Sequence, residues 1–114
     1  MEDTSMMKVT VKERDYSKDL VITNYLAIKA EAHEIAYIEG IRLPTWDEIT
    51  KNKEILKKLE GKHIWVTSGV GSEPFTLDVR SGGNYGAGID ARLWPYAEAM
   101  VVGFRLGTKD LKRG

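Results

Sequence analysis

The chain contains no cysteine, which excludes disulfides, thiolate metal sites and cysteine nucleophiles together. Packing alone must hold the fold. A surplus of one charge is also missing: 17 Lys and Arg balance 17 Asp and Glu, so the basic footprint of a nucleic-acid binder is absent. The mildly basic end "TKDLKRG" (108–114) reads as a solvated terminus. No apolar run approaches the roughly 20 residues that span a bilayer, and "MEDTSMMKVT" has no apolar signal core. A soluble chain is expected, with neither membrane nor nucleic acid as partner. Histidine is scarce as well. His33 and His63 are the only two, with no acidic residues at ligand spacing around them, so neither a metal nor a cofactor is expected.

What is present is an ordinary globular mixture, 42% hydrophobic and 30% charged in 114 residues, which fits one core and one domain. Residues 1–7 are expected to be a flexible lead-in, 8–107 the domain, and 108–114 a flexible end. "MKVTVKER" (7–14) alternates in the period of a strand. From Thr23 the period becomes helical, with Ile28, Ala32, Ile35 and Glu39 on one stripe and Gly40 as the stop. Thr45 and Glu48 form a capping box for a second helix carrying Trp46, Ile49, Leu56 and Leu59 inward, with a break near Asn52 and a stop at Gly61. "HIWVTS" (63–68), "FTLDV" (75–79) and "AMVVGFRL" (99–106) read as strands, the last more continuously apolar and therefore central. The order predicts an α+β domain, two helices on one side of a small antiparallel sheet.

Between the last two strands lies "SGGNYGAGIDARLWPYAEAM" (81–100), predicted to be a long irregular loop. A stretch of about 20 residues exceeds ordinary connections and is usually functional or disordered. Catalysis finds little support there or elsewhere. Ser68 and Ser72 in "TSGVGS" sit in no G-x-S-x-G turn leading into a helix. Gly82, Gly83, Gly86 and Gly88 lack the spacing and following helix of a phosphate cradle, so they read as turn-makers. Asp47 and Glu48 are neighbours on a helix and do not face each other. No enzyme is expected. The loop does combine Asn84, Tyr85, Asp90, Arg92, Trp94, Tyr96 and Glu98, and Tyr, Trp and Arg are the types enriched at interface hot spots. For Trp94 two readings stand: it faces the partner, or it folds inward and plugs the core.

From about residue 20 to 107 the chain resembles the C-type-lectin fold shared by formylglycine-generating enzymes and the variable proteins of diversity-generating retroelements. "IRLPTWDEI" (41–49) is similar to their "RLPT-x-x-E-W" signature, and "IWVTSG" (64–69) to the "W-S-S" strand of Lcl-type C-terminal domains. "VRSGGNYG" (79–86) resembles "R-G-G-S-W", with the glycines displaced by one. "GFRL" (103–106) resembles the closing "GFR", and Pro95 precedes Arg105 by the offset found in variable proteins. Departures limit what carries over: the cysteines of the enzymes are missing, as is the histidine cluster of iron-dependent relatives. "EPF" (73–75) keeps two letters of the calcium motif E-P-N, and no W-N-D exists.

The resemblance implies a non-catalytic ligand-binding domain whose segment before "GFR" is diversified at adenines. Carried over residue by residue, the diversified positions are Asn84, Tyr85, Ile89, Asp90, Arg92, Leu93, Tyr96 and Ala99. Trp94 and Glu98 complete the expected surface. The implied partner is a protein or a glycan, and the implied source archaeal or viral, with display on a virion or larger assembly. The alternative is a structural domain of a virion or surface layer, in which the same loop packs on a neighbouring subunit.

Overall fold

A computed structural model describes residues 20–106. The strand expected at 7–14, the lead-in and the end segment lie outside the described residues. Within them, one sheet holds β1 (Leu20–Ala27), β2 (Ile41–Arg42), β3 (His63–Thr67), β4 (Pro74–Val79), β5 (Tyr85–Ala87) and β6 (Ala99–Arg105). The helices are α1 (Ala32–Ile38), entered through a 3-10 turn at Lys29–Glu31, then α2 (Trp46–Thr50) and α3 (Lys53–Lys58).

The fold is α+β, as expected, but three details differ. First, residues 20–27 form β1 rather than the start of a helix. The β-branched run Val21-Ile22-Thr23 favours an extended chain, and β1 pairs along β6, from Leu20 opposite Phe104 to Ala27 opposite Ala99. Thr23 does not cap a helix; its hydroxyl donates to the Val101 carbonyl at 2.7 Å. The register shifts between Ile22 and Leu26, at Asn24, which takes a positive φ of 57°, a conformation that asparagine tolerates. Only the second half of the periodic stretch is helical, and it ends as predicted before Gly40.

Second, the sheet is mixed. Its order is β1-β6-β3-β4-β5, with β2 also on β6. β6 is antiparallel to β1 and β2 but parallel to β3, while β3, β4 and β5 form an antiparallel meander. β5 and β6 therefore run the same way with two strands between them, and the chain must cross over the sheet to join them. Parallel strands require a crossover of roughly a dozen residues. The segment 88–98 is that crossover.

Third, helices cover both faces. On one face Ile49, Ile55, Leu56 and Leu59 of α2, α3 and the residue after it pack with Ile64, Val66, Leu77, Val79, Val102 and Phe104. On the other, Ala32 and Ala36 of α1 pack with Trp65, Val101, Ile41 and Leu43. The period of two explains the split, because neighbouring strand residues such as Val101 and Val102 point to opposite faces. β6 is central and buried, as its apolar run predicted.

The "RLPTWDE" motif acts as a clamp. Thr45 Oγ1 accepts from the Glu48 N–H at 3.1 Å, and Glu48 Oε1 accepts from the Thr45 N–H at 2.9 Å, completing the capping box. The same carboxylate takes both ends of the Arg42 guanidinium, at 2.9 and 2.7 Å, fixing α2 to β2. Asn52 is the expected break; its Oδ1 accepts from the N–H groups of Glu54 and Ile55 and starts α3. In "GFR", Gly103 is forced by close approach: a Cβ there would lie 1.9 Å from the Arg42 carbonyl oxygen.

Candidate binding surface

The stretch after β4 divides into two parts that face different ways. In the first, Gly82 donates its N–H to Glu60 Oε2 at 3.1 Å, and Arg80 donates its backbone N–H to the Asn84 carbonyl at 2.8 Å. β5 then pairs with β4, Tyr85 opposite Val79, which turns the Tyr85 ring to the α2–α3 face. There it meets Trp46 edge-on at 5.7 Å between centroids, and Trp46 in turn stacks on Phe75 at 5.8 Å. Tyr85 is therefore half engaged in packing, and Asn84 is exposed beside it. Part of the predicted irregular loop is thus a strand.

The second part begins at Gly88, where the chain passes over the opposite face of the sheet. A Cβ at Gly88 would lie 2.1 Å from His63 Nε2 and 2.4 Å from Thr76 Oγ1, so only glycine permits this approach. Three hydrogen bonds fasten the crossing. Gly88 N–H donates to the Thr76 carbonyl at 3.0 Å, and the Thr76 hydroxyl donates to the Ile89 carbonyl at 2.8 Å. Ile89 N–H donates to His63 Nε2 at 3.3 Å. His63, the first residue of β3, accepts one of the tethers.

Asp90 then organises one turn of chain. Its Oδ1 accepts from the Arg92 backbone N–H at 2.9 Å and from Arg92 Nε at 3.3 Å. Its carbonyl accepts from the N–H groups of Leu93 and Trp94. The hydrogen bonds from Arg92, backbone first and then guanidinium, hold the exposed Asp90 carboxyl below the usual carboxylate range. Within this turn Ala91 points inward, 8% exposed, into the cluster around Trp65. Ala91 is the plug, and Trp94 is not: Trp94 is 65% exposed. The indole that fills the core is Trp65, whose Nε1–H donates to the Ala27 carbonyl at 2.8 Å.

The outward side of the crossover carries an apolar cluster beside its charged residues. Leu93 and Tyr96 are 72% and 80% exposed, and Ile89 is half exposed. Ile89, Trp94, Pro95, Tyr96 and Ala97 line an open hollow of about 560 Å³. A second hollow of about 590 Å³ adjoins it at Pro95, and its titratable walls are Lys29, His33 and Arg92. Lys29 pairs with Glu73, which lies with Asp90 in the wall of a neighbouring depression that Lys29 and Arg92 also line. The Lys29 ammonium, by its hydrogen bond and its charge, lowers the Glu73 carboxyl from its ordinary value.

Of the expected surface, Ile89, Asp90, Arg92, Leu93, Trp94, Tyr96 and Glu98 stand exposed on the crossover and its exit. Tyr85 belongs to the other face, and Asn84 lies just before β5, off the crossover, with its Nδ2 donating to the Ser81 carbonyl. Ala99 is a correction: it opens β6 opposite Ala27 and is 1% exposed, so its side chain touches core and no partner. Sequence reasoning missed Lys29, Glu73 and His33, which come from distant segments; no local pattern marks them. His33 Nε2 reaches the Ser72 backbone carbonyl at 2.7 Å, not the Ser72 hydroxyl. Among the described residues, no group of three or more His, Asp or Glu is placed to hold a metal ion, and no helix is long and apolar enough to cross a membrane. No family model matches the chain, and no curated protein or solved structure matches it either.

Proposed function

We propose that this chain is a non-catalytic binding domain with a C-type-lectin-like fold, a variable protein of the diversity-generating retroelement kind, that presents residues 88–98 to a protein or glycan. One observation carries the reading. Leu93, Trp94 and Tyr96 stand exposed together on a segment whose base is tied to the sheet through Thr76 and His63. Exposed aromatics cost free energy to maintain on a soluble surface, and on a rigid support they recognise a partner with little ordering entropy. The resemblance of "RLPTWDEI" and "GFRL" to the lectin-type families adds to it. The presenting surface is the crossover, without Asn84, Tyr85 or Ala99.

The test is the combined variant Leu93→Ala, Trp94→Ala, Tyr96→Ala, assayed on glycan arrays and on displayed peptide libraries alongside the parent chain. Binding by the parent and its loss in the variant, with thermal stability within about 4 °C, is the expected result. Collapse of the fold, or undiminished binding, overturns it. Assembly is the second reading, favoured by the same apolar cluster, since such clusters also bury between subunits. Sedimentation decides: a stable oligomer that the triple variant dissolves supports assembly.

A further inference from the structure

The two hollows that meet at Pro95 differ in chemistry, and together they specify a ligand more narrowly than "protein or glycan". The hollow of Ile89, Trp94, Pro95, Tyr96 and Ala97 offers two side-chain polar groups, the Trp94 indole N–H and the Tyr96 hydroxyl. A sugar can stack on such rings, but its paired hydroxyls need planar carboxylates or amides to bind in register. No carboxylate or amide lines it, and the Asp90 carboxylate is committed: Oδ1 serves the backbone N–H and Nε of Arg92, and Oδ2 faces Nη2 at 3.5 Å. An aliphatic or aromatic side chain suits this hollow better, because it requires no polar partner.

The adjoining hollow complements the opposite chemistry. Lys29, His33 and Arg92 supply its titratable walls, with no carboxylate among them. Arg92 engages Asp90 through Nε and Nη2 only, and its Nη1 has no acceptor among the described residues. The side chain is 82% exposed, so a guanidinium fork with uncommitted donors points into reach of an incoming carboxylate. Glu73 and Asp90 offset much of the net charge, so the preference for an acid comes from directed N–H groups rather than from a strong field.

We infer that the ligand is a protein segment presenting one apolar side chain beside an acidic residue, the apolar group against Trp94 and Tyr96 and the carboxylate on Arg92. This rests on the binding-domain reading above and deepens it. Each arm has its own magnitude. Trp94 is the hot-spot anchor, and its removal should weaken binding about tenfold or more. The Arg92–carboxylate contact is solvent-exposed and should be worth about two- to fivefold.

The experiment selects a displayed random dodecapeptide library on the full chain, then measures the chosen peptides by fluorescence anisotropy against the parent, Trp94→Ala and Arg92→Gln. Circular dichroism checks that both variants fold, which the exposure of both side chains favours. The expected peptides place Leu, Ile, Phe or Trp within a few residues of Asp or Glu. Exchanging that acid for its amide should weaken binding about two- to fivefold on the parent and leave it unchanged on Arg92→Gln, a coupling that only direct contact produces. Selected peptides that depend on Trp94 but bind equally as acid or amide would overturn the inference and leave the binding surface standing. Glycan-array binding with no peptide selected does the same. Peptides indifferent to Trp94→Ala, or the absence of any bound peptide or glycan, would overturn both.

Discussion

Replacing Gly88 by alanine tests the crossover most directly. The added methyl would sit 2.1 Å from His63 Nε2 and 2.4 Å from Thr76 Oγ1, more than an ångström inside ordinary contact. The chain has two ways to respond. If the crossover lifts, the three tethering hydrogen bonds through Gly88, Thr76 and Ile89 are lost, at about 1 kcal/mol net each. If His63 swings aside, only its bond to Ile89 goes, but overpacking against Thr76 adds about 1 kcal/mol. Both routes predict a loss of about 2–3 kcal/mol, or a fall in melting temperature of about 8–12 °C for a domain of this size. Urea unfolding followed by tryptophan fluorescence measures it. Combining the change with His63→Ala removes two obstructing atoms, Nε2 and Cδ2, so Gly88→Ala should cost at least about 1 kcal/mol less in that background. A Gly88→Ala protein within about 0.5 kcal/mol of the parent, or strict additivity with His63→Ala, would refute the close approach.

Gly103→Ala should be worse than Gly88→Ala, about 3 kcal/mol or more, since the obstructing atom is the Arg42 backbone carbonyl and no side chain can rotate away; denaturant midpoints rank the two. Thr76→Val should cost about 1 kcal/mol and raise hydrogen exchange at Ile89 and its neighbours without disturbing the α2–α3 face. For Glu48, burial pushes the carboxyl up, but the bonds and charge of Arg42 and the N–H and hydroxyl of Thr45 outweigh it and hold the carboxyl below its ordinary value of 4.5. Its folded-state value is depressed, so its stabilisation is full above about pH 4.5 and disappears as pH falls through the lower folded value. Glu48→Gln should cost about 1.5 kcal/mol at pH 7 and flatten the acid limb of a stability profile; an unchanged limb would contradict the clamp. Iodide should quench Trp94 emission far more than that of Trp65, with the half-buried Trp46 between them, so Trp94→Phe should remove the largest single part of the quenchable signal.

The capping box at Thr45 and Glu48, the break at Asn52 and the strands at 63–67, 74–79 and 99–105 were legible because each rests on neighbours in sequence. β1 was not, because Ile28, Ala32, Ile35 and Glu39 satisfy a helical stripe that drew the helix back to Thr23, and the short β-branched run before it becomes a strand by pairing with the distant β6. The parallel contact of Ile64 with Met100 is a matter of topology, and it changes the meaning of the loop's length. A span that suggested display is in part the distance needed to cross two strands. The candidate surface was legible in composition but not in direction: Tyr85 and Trp94 lie close in sequence, yet the strand turn at β5 sends them to opposite faces. Nothing local could place Lys29 and His33 beside Arg92.

The position of β6 has a consequence for biosynthesis. It is the last described strand, yet it lies between β1 on one side and β2 and β3 on the other, with partners as remote as Leu20 for Phe104. A nascent chain that has emerged only as far as the crossover leaves the edges of β1 and β3 open, with apolar faces exposed and ready to pair with another chain. Contacts this distant close slowly, so the domain should reach its native state only after the "GFR" strand has left the ribosome. A chain truncated or stalled before β6 is expected to aggregate rather than fold, which ties formation of the sheet to completion of this strand.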